Sequence, residues 1–277
     1  MGNTNDVQPV EISDRHIGDA MELVTEAGWN QCAQDWQMML SAGRGFGFKD
    51  GSGKLIASAM VLPYGSQIGW IGMVLVTKSH QRKGLAGRMM AKAVRILEEA
   101  GLVPGLDATP AGEPVYLKQG FNPGFSFHRW NRIGSQSRND VGSRSGDVDI
   151  AKIQHLDRAG FGAPRPDLLE NIIQRGHPVA VTDDDTGFAL SRAGRIADQI
   201  GPIIAQDETA AIKLFDQQLS RLKGDVFVDI PDAHVALTAH AEAVGFTRQR
   251  PFRRMLRNTN SQVDPGAIYA LFGPEMG

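Results

Sequence analysis

The chain has 277 residues, a hydrophobic fraction of 42% and a formal net charge of −2 at pH 7, which permits one large domain or two smaller ones that each bury a core. The near-neutral charge argues against a dedicated nucleic-acid-binding protein, and no uninterrupted apolar stretch is long enough to span a bilayer. Cys32 is the single cysteine, which excludes an intrachain disulfide, and the polar N-terminus lacks an apolar signal core, so we expect a cytoplasmic protein.

The first half of the chain alternates strands and helices. Periodicity and turn residues predict, in chain order, a strand over 7–12, a helix that begins at Ser13-Asp14 and runs to Ala27, a helix over 34–42, strands over 46–49, 54–62 and 71–76, a helix that ends at Gly101, a strand over 103–108, a short helix over 115–119 and an aromatic strand over 125–130.

The connection after the strand over 71–76 carries the strongest functional signal. It is short, basic and glycine-bearing, and a helix with apolar residues on one face follows it. Glycine lets a ligand approach the backbone, the loop N–H groups point outward, and the helix N-terminus carries partial positive charge. Arg82 and Lys83 add full charges. The segment therefore predicts a site for a diphosphate or a phosphorylated nucleotide, with an ordinary solvated connection as the alternative.

Residues 131–147 change in character, because Gly, Ser, Asn and Arg dominate and large apolar residues almost vanish. We therefore predict two domains, 1–134 and 147–277, joined by a linker over 135–146. After the linker the order of elements repeats. The predicted strands are 148–153, 178–182, 187–192, 199–205, 225–230 and 252–256, and the predicted helices are 155–160, 167–174, one that ends at Gly224 and one that ends before Gly245.

Local echoes support a duplication. The segment Gln119-Gly120-Phe121 is echoed by Val244-Gly245-Phe246, and residues 127–130 (Phe-His-Arg-Trp) are echoed by residues 252–255 (Phe-Arg-Arg-Met). Each echo is weak alone, but together with the shared element order they predict a tandem repeat.

Two segments of the first half resemble the GNAT N-acetyltransferase superfamily. Gln81-Arg-Lys-Gly-Leu-Ala86 is similar to its Gln/Arg-x-x-Gly-x-Gly/Ala signature, and Tyr116-Leu-Lys-Gln-Gly-Phe121 resembles its Tyr-x-x-x-Gly-Phe segment. The second half is similar in layout, and residues 161–165 (Phe-Gly-Ala-Pro-Arg) and 228–231 (Val-Asp-Ile-Pro) resemble bacterial tandem GNAT proteins. The resemblance implies two mixed α/β domains, each with a central, mostly antiparallel sheet flanked by helices.

The resemblance also implies where acetyl-CoA binds, namely in the gap between two strands that splay apart. The pantetheine arm is expected on the strand at Met73, Val74, Leu75 and Val76, and the diphosphate on the loop formed by Gln81, Arg82, Lys83, Gly84, Leu85, Ala86 and Gly87. A backbone N–H near Val74 to Val76 is expected to polarise the thioester oxygen. This arrangement needs no catalytic metal.

Acetyl transfer to an amine requires an acid for the departing thiolate and a base for the amine. Tyr116 falls where the family places a tyrosine acid, and a phenol suits that role because its pKa is near that of a thiol. Asp107, at the end of the preceding strand, is the candidate base, with a strand-end cap as its alternative role. Glu113 is a second candidate for the base, and spacing alone does not decide between them. The predicted acceptor is a small-molecule amine held near the junction of the halves, and the chain is expected to be a monomer or homodimer that binds no nucleic acid and no membrane.

The counterpart of the glycine loop in the second half is Gln206-Asp-Glu-Thr-Ala210, which has no glycine and two acids. Acids would repel a diphosphate, and Asp207 is typical of a helix N-cap. We therefore predict one acetyl-CoA site, in the first half, while the second half walls the acceptor pocket or stabilises the fold. The functional prediction is an acetyl-CoA-dependent N-acetyltransferase, with a non-catalytic acyl-CoA sensor as the alternative.

Overall fold

The computed structural model describes residues 7–134, 149–258 and 265–277. By their contacts the described residues separate into two compact units, one formed by those up to Pro104 with Met276 and the other by those from Gly105 to Glu275 with Gly277.

The first unit is an antiparallel sheet with helices packed against it. Its strands follow the order β1-β2-β3-β4. Gly69 in β4 lets helix α3 approach closely, because a Cβ at this position would lie 2.3 Å from the side chain of Leu97. In chain order the elements are β1 (Gln8–Ile12), α1 (Ile17–Ala27), α2 (Ala33–Ala42), β2 (Arg44–Lys49), β3 (Leu55–Tyr64), β4 (Ile68–Val76) and α3 (Leu85–Glu99).

The second unit begins within β5 and forms a mixed sheet in the order β5-β11-β6-β10-β9-β8-β7, with β12 paired to β9. Its elements in chain order are β5 (Val103–Ala108), α4 (Glu113–Leu117), β6 (Phe121–Arg132), α5 (Ile150–Phe161), α6 (Pro166–Gln174), β7 (Val179–Val181), β8 (Phe188–Ala193), β9 (Asp198–Ile204), α7 (Glu208–Leu219), β10 (Val226–Pro231), α8 (Val235–Ala243), β11 (Thr247–Arg257) and β12 (Ile268–Ala270).

Strands of the two sequence repeats interleave in this second sheet. β11 lies between β5 and β6, and β6 lies between β11 and β10, all in antiparallel pairs. The compact units therefore divide at Pro104 and Gly105, whereas the linker predicted from composition spans residues 135–146, which lie outside the described residues. Strand pairing, which composition does not reveal, accounts for the difference.

One face of this sheet carries an apolar core. The strands contribute Trp130, Val226 and Val228 to this core. Phe215 of α7 and Leu237 of α8 pack in the same cluster. The opposite face carries buried arginine and carboxylate side chains, which form ion pairs between neighbouring strands.

The prediction of a strand over 148–153 was wrong, because residues 150–153 form the first turn of α5. The alternation Val148-Asp149-Ile150 suggested a strand, but the carboxylate of Asp149 caps the helix by accepting from the backbone N–H of Lys152 at 3.1 Å. Strand β12 was not predicted, because three residues after a polar segment carry too little pattern. Most other predicted elements are present with ends shifted by a few residues.

Candidate functional site

Strand β4 contains a β-bulge at the segment where the pantetheine arm is expected. Ser58 of β3 lies opposite Leu75 and Met60 lies opposite Gly72, so Met73 and Val74 together face one residue of β3. Met73 has a positive φ of 52°, and its carbonyl accepts a hydrogen bond from the buried hydroxyl of Ser58 at 2.9 Å. The bulge interrupts the ladder locally and redirects backbone groups.

A cleft of about 370 Å³ lies beside the end of this strand. Its walls combine strand, loop and helix residues and include no acidic side chain. They are Val74, Val76, His80, Gln81, Arg82, Gly84, Leu85, Ala86 and Gly87. Among the other residues predicted to bind the coenzyme, Met73 and Leu75 turn their side chains into the core, and Lys83 is exposed outside the lining.

The loop that borders the cleft leaves the start of α3 open. Arg82 and Gly84 adopt left-handed conformations, with φ of 60° and 80°, and Gln81 donates from Nε2 to the carbonyl of Val76 at 3.1 Å. Gly84 is the N-cap of α3 and provides no side-chain acceptor. The first N–H groups of the helix therefore face the cleft without a capping oxygen, which is the arrangement that binds phosphate groups.

The corresponding helix start in the second unit is closed. The carboxylate of Asp207 accepts from the backbone N–H of Ala210 at 2.8 Å, and Glu208 accepts from the N–H of Ala236 at 3.2 Å. The N-terminus of α7 is thus occupied by the chain's own negative charge, as the sequence suggested for Asp207.

The gap between β9 and β10 in the second unit is also filled. The two strands pair in parallel only over 198–200 and 226–228. Beyond that point β12 pairs with β9, and Leu271 donates its N–H to the carbonyl of Asp229 at 2.9 Å. Gly201 permits this approach, since a Cβ there would lie 1.9 Å from the carbonyl oxygen of Leu271. The segment over 265–277 therefore fills the gap between β9 and β10.

Tyr116 lies on the short helix α4 and is partly exposed. Its ring packs against Phe121 at a centroid distance of 6.0 Å and near Gly112, where a Cβ would lie 2.8 Å from it. Desolvation raises the pKa of the phenol above its ordinary value. Within the described residues its hydroxyl has no hydrogen-bond partner, so it remains available to a ligand.

Asp107 is placed differently from its expected position at an open cleft. Its carboxylate is inaccessible to solvent and accepts two hydrogen bonds from Arg254 of β11, at 3.0 Å and 2.9 Å. Burial raises the pKa of Asp107 to about 6, Arg254 opposes that change, and the charges of Asp229 and Glu275 add to it. The alternative of a strand-end cap does not describe it either, since Asp107 lies within β5 and pairs across the ladder.

A second bidentate pair repeats this geometry. Arg129 of β6 donates to both oxygens of Asp229 of β10, at 2.8 Å and 2.7 Å, and the two residues are direct ladder partners, as are Arg254 and Asp107. Each pair joins an arginine of one repeat to an aspartate of the other. Arg129 and Arg254 occupy matching positions in the repeated segments Phe-His-Arg-Trp and Phe-Arg-Arg-Met. This repetition was the sequence feature that pointed to the two arginines.

Neither a metal centre nor a membrane helix is found in the described ranges. No cluster of three or more His, Cys, Asp or Glu side chains there is arranged to hold a metal ion, and none of the helices there is both long and apolar enough to cross a membrane.

Comparisons with known protein families match both repeats. The model described as the acetyltransferase (GNAT) family matches residues 15–121, and that described as an acetyltransferase (GNAT) domain matches residues 153–270. The chain is 25% identical to the uncharacterized N-acetyltransferase YitH of Bacillus subtilis (strain 168), over an alignment that covers 97% of this chain and 98% of that protein.

Solved structures share the fold over nearly the whole chain. A putative acetyltransferase from Pyrococcus horikoshii superposes with a TM-score of 0.83 at 16% identity, and the superposition covers 99% of this chain and 97% of that protein. A tandem GNAT protein from the clavulanic acid biosynthesis pathway has a TM-score of 0.63 at 13% identity and covers 92% of this chain and 100% of its own.

Proposed function

The chain belongs to the GNAT acetyltransferase family as a tandem protein, and we propose that it transfers the acetyl group of acetyl-CoA to the amine of a small molecule at one coenzyme site in the first repeat. The observation that carries this proposal is the open N-terminus of α3 at the cleft beside β4. A diphosphate is anionic, and this helix start presents N–H groups, partial positive charge and a lining free of acids.

In this proposal, different residues of the cleft bind different parts of the coenzyme. The N–H groups of the loop from Arg82 to Gly87 hold the diphosphate, and the bulged edge of β4 at Met73 to Val76 pairs with the pantetheine arm. A backbone N–H of the same edge polarises the carbonyl oxygen of the thioester. When bound, acetyl-CoA supplies the activated acetyl group.

The side chains move protons in the proposed reaction. The amine nitrogen forms a bond to the acetyl carbon, the bond from that carbon to sulfur breaks, and Tyr116 donates a proton to the departing sulfur. A base takes the proton that the amine loses. Asp107 is a weaker candidate for that base than the sequence suggested, because both of its oxygens accept from Arg254 in a site closed to solvent.

The substitution Ala86→Asp tests the coenzyme site. Ala86 is exposed in the first turn of α3, where a carboxylate favours the helix but repels a diphosphate. We expect the Kd for CoA to rise by about 30-fold to 100-fold, which corresponds to roughly 2 to 3 kcal/mol, while thermal stability is unchanged or slightly higher. Titration calorimetry and thermal unfolding measure both quantities.

The matched control is Ala86→Asn, which has nearly the same shape without the charge. We expect it to weaken CoA binding by no more than about fivefold (a change of about 1 kcal/mol). Equal affinity of the Ala86→Asp variant and the wild-type protein would contradict the proposed placement of the diphosphate.

The closed start of α7 and the filled gap between β9 and β10 predict a binding stoichiometry. We expect calorimetry to give one CoA per chain, because Asp207 caps α7 and β12 occupies the second gap. A titration that ends at two CoA molecules per chain, or binding that survives Ala86→Asp but fails after a change in the α7 region, would place the coenzyme elsewhere.

A further inference from the structure

Arg250 differs from the buried arginines of the second unit, because it is partly exposed and forms no ion pair among the described residues. Arg129, Arg165, Arg192 and Arg254 each form an ion pair with a carboxylate that is itself buried. Arg250, on β11, has no ion-pair partner in the described part of the chain, and its Nε is buried there without a hydrogen-bond acceptor. A buried guanidinium N–H without an acceptor is costly, and a native protein normally supplies one.

The surroundings of Arg250 add positive charge and leave it uncompensated. Its direct ladder partner on β6 is Arg129, and like charges opposite each other in a sheet destabilise the pair. Asp229 lies nearby, but its two oxygens already accept from Arg129, and one of them also accepts from Gln199 at 3.1 Å. Burial and the charge of Arg129 lower the pKa of Arg250, while the charges of Asp229 and Glu275 act in the opposite direction. Asp229 and Glu275 are already paired with Arg129 and Arg192, so among the described residues of this face Arg250 adds a positive charge that has no ion-pair partner of its own.

The guanidinium of Arg250 is held in place and remains partly exposed. It lies 4.8 Å from the ring centroid of Phe252, and that ring stacks on Phe127 at 5.0 Å with an interplanar angle of 8°. Stacking on an aromatic face orients the planar guanidinium and leaves its N–H edges free for a planar anion.

The two repeats differ at this position. When Phe127 is aligned with Phe252 and Arg129 with Arg254, the residue that corresponds to Arg250 is Phe125. The ion pairs are kept in both repeats, but the extra arginine is present in only one. A purely structural role in the duplicated sheet would not require this difference.

We propose that Arg250 binds the carboxylate of the acceptor, so that the substrate is an amine that also carries a carboxylate, as an amino acid does. A guanidinium and a carboxylate form two parallel hydrogen bonds, and a single excess charge matches a monoanion better than a phosphate group, which carries nearly two charges. This inference rests on the proposed function, because it names the class of acceptor for that reaction.

The test compares amines that differ only in the carboxylate. Lysine with 1,5-diaminopentane, ornithine with 1,4-diaminobutane and tryptophan with tryptamine are assayed with acetyl-CoA by release of free thiol. In at least one pair we expect the carboxylated member to have the higher kcat/KM. Arg250→Gln should lower kcat/KM for the carboxylated amine by about 10-fold to 100-fold. It should leave kcat/KM for the amine without a carboxylate within about twofold of the wild-type value, so that the preference disappears.

Two further variants separate charge from geometry. Arg250→Lys keeps the charge without the planar fork and should retain part of the preference. Arg248→Gln removes an exposed arginine of the same strand that stacks on Trp130 on the other side of the sheet, and it should leave the preference unchanged. Thermal unfolding of each variant identifies any loss of the fold.

Direct binding decides the matter if no panel member is acetylated. The same amines are titrated calorimetrically into the CoA-saturated protein, and weaker binding of carboxylated members to Arg250→Gln than to wild type supports the proposal. Equal binding or equal kcat/KM for wild type and Arg250→Gln overturns it. If the protein binds CoA but its preference for carboxylated amines does not depend on Arg250, only this inference is refuted. If the protein does not bind CoA, the proposed function is refuted.

Discussion

Replacing Tyr116 by phenylalanine is expected to lower kcat for acetyl transfer by about 100-fold to 10,000-fold, which is the usual contribution of a general acid. The affinity for CoA should stay within about twofold of wild type, because the ring and its contact with Phe121 remain. Desolvation raises the pKa of Tyr116 above that of an ordinary phenol, so the alkaline decline of kcat should begin at a higher pH than it would for an unperturbed tyrosine. Steady-state kinetics between pH 6 and about pH 11 measures both effects.

Tyr269 provides the matched control for this change. It lies on β12, and its ring stacks on His234 at 4.0 Å, so Tyr269→Phe also removes one phenolic hydroxyl while it keeps the ring. We expect its kcat to remain within about twofold of wild type. A Tyr116→Phe enzyme with normal kcat at every pH would show that another group, or water, protonates the departing sulfur.

The order of elements was largely predictable because most elements carry a local pattern. The apolar face of α3 and the apolar run of β3 depend only on neighbouring residues. The same is true of the turn at Asp50, whose carboxylate accepts from the N–H groups of Ser52 and Lys54. Residue type alone also predicts the two helix starts, because Gly84 has no side chain that could cap α3 and Asp207 is a typical N-cap for α7.

The sheet order was not predictable, because it depends on which strands pair at long range. Sequence repeats indicate two similar halves, but they do not show that β11 enters between β5 and β6. The same limitation applies to the occupant of the second gap. Residues 268–270 are too short to be recognised as a strand, and the close approach of the next residue, Leu271, depends on the space that Gly201 leaves open.

The buried ion pairs were missed for a related reason. Arginines in a strand such as β11 are typical of a solvated edge, and only the paired position of Asp107 or Asp229 on the next strand shows that they are buried. The sequence identifies Asp107 as a candidate base, but its partner Arg254 lies 147 residues away in the sequence. Contacts at that separation leave no local pattern.

The substitution Asp229→Asn is expected to reduce the free energy of unfolding by about 3 to 5 kcal/mol, because it leaves the buried charge of Arg129 without its counterion. Both side chains of this pair are at most 3% exposed. Asparagine has nearly the same volume as aspartate, so the loss reflects charge rather than a cavity. Arg250 lies opposite Arg129 on the ladder and increases the uncompensated charge. Equilibrium unfolding in urea measures the change.

The control is Asp216→Asn, which replaces the carboxylate that hydrogen-bonds Nε2 of His240 at 2.7 Å, at a half-exposed position of the same unit. Exposed pairs contribute at most about 1 kcal/mol, so this variant should unfold close to wild type. The double variant Arg129→Met with Asp229→Leu removes both charges and should recover much of the lost stability, because an apolar pair carries no desolvation cost. If Asp229→Asn and Asp216→Asn destabilise equally, the ion pairs across the interleaved strands do not hold this sheet together as their burial implies.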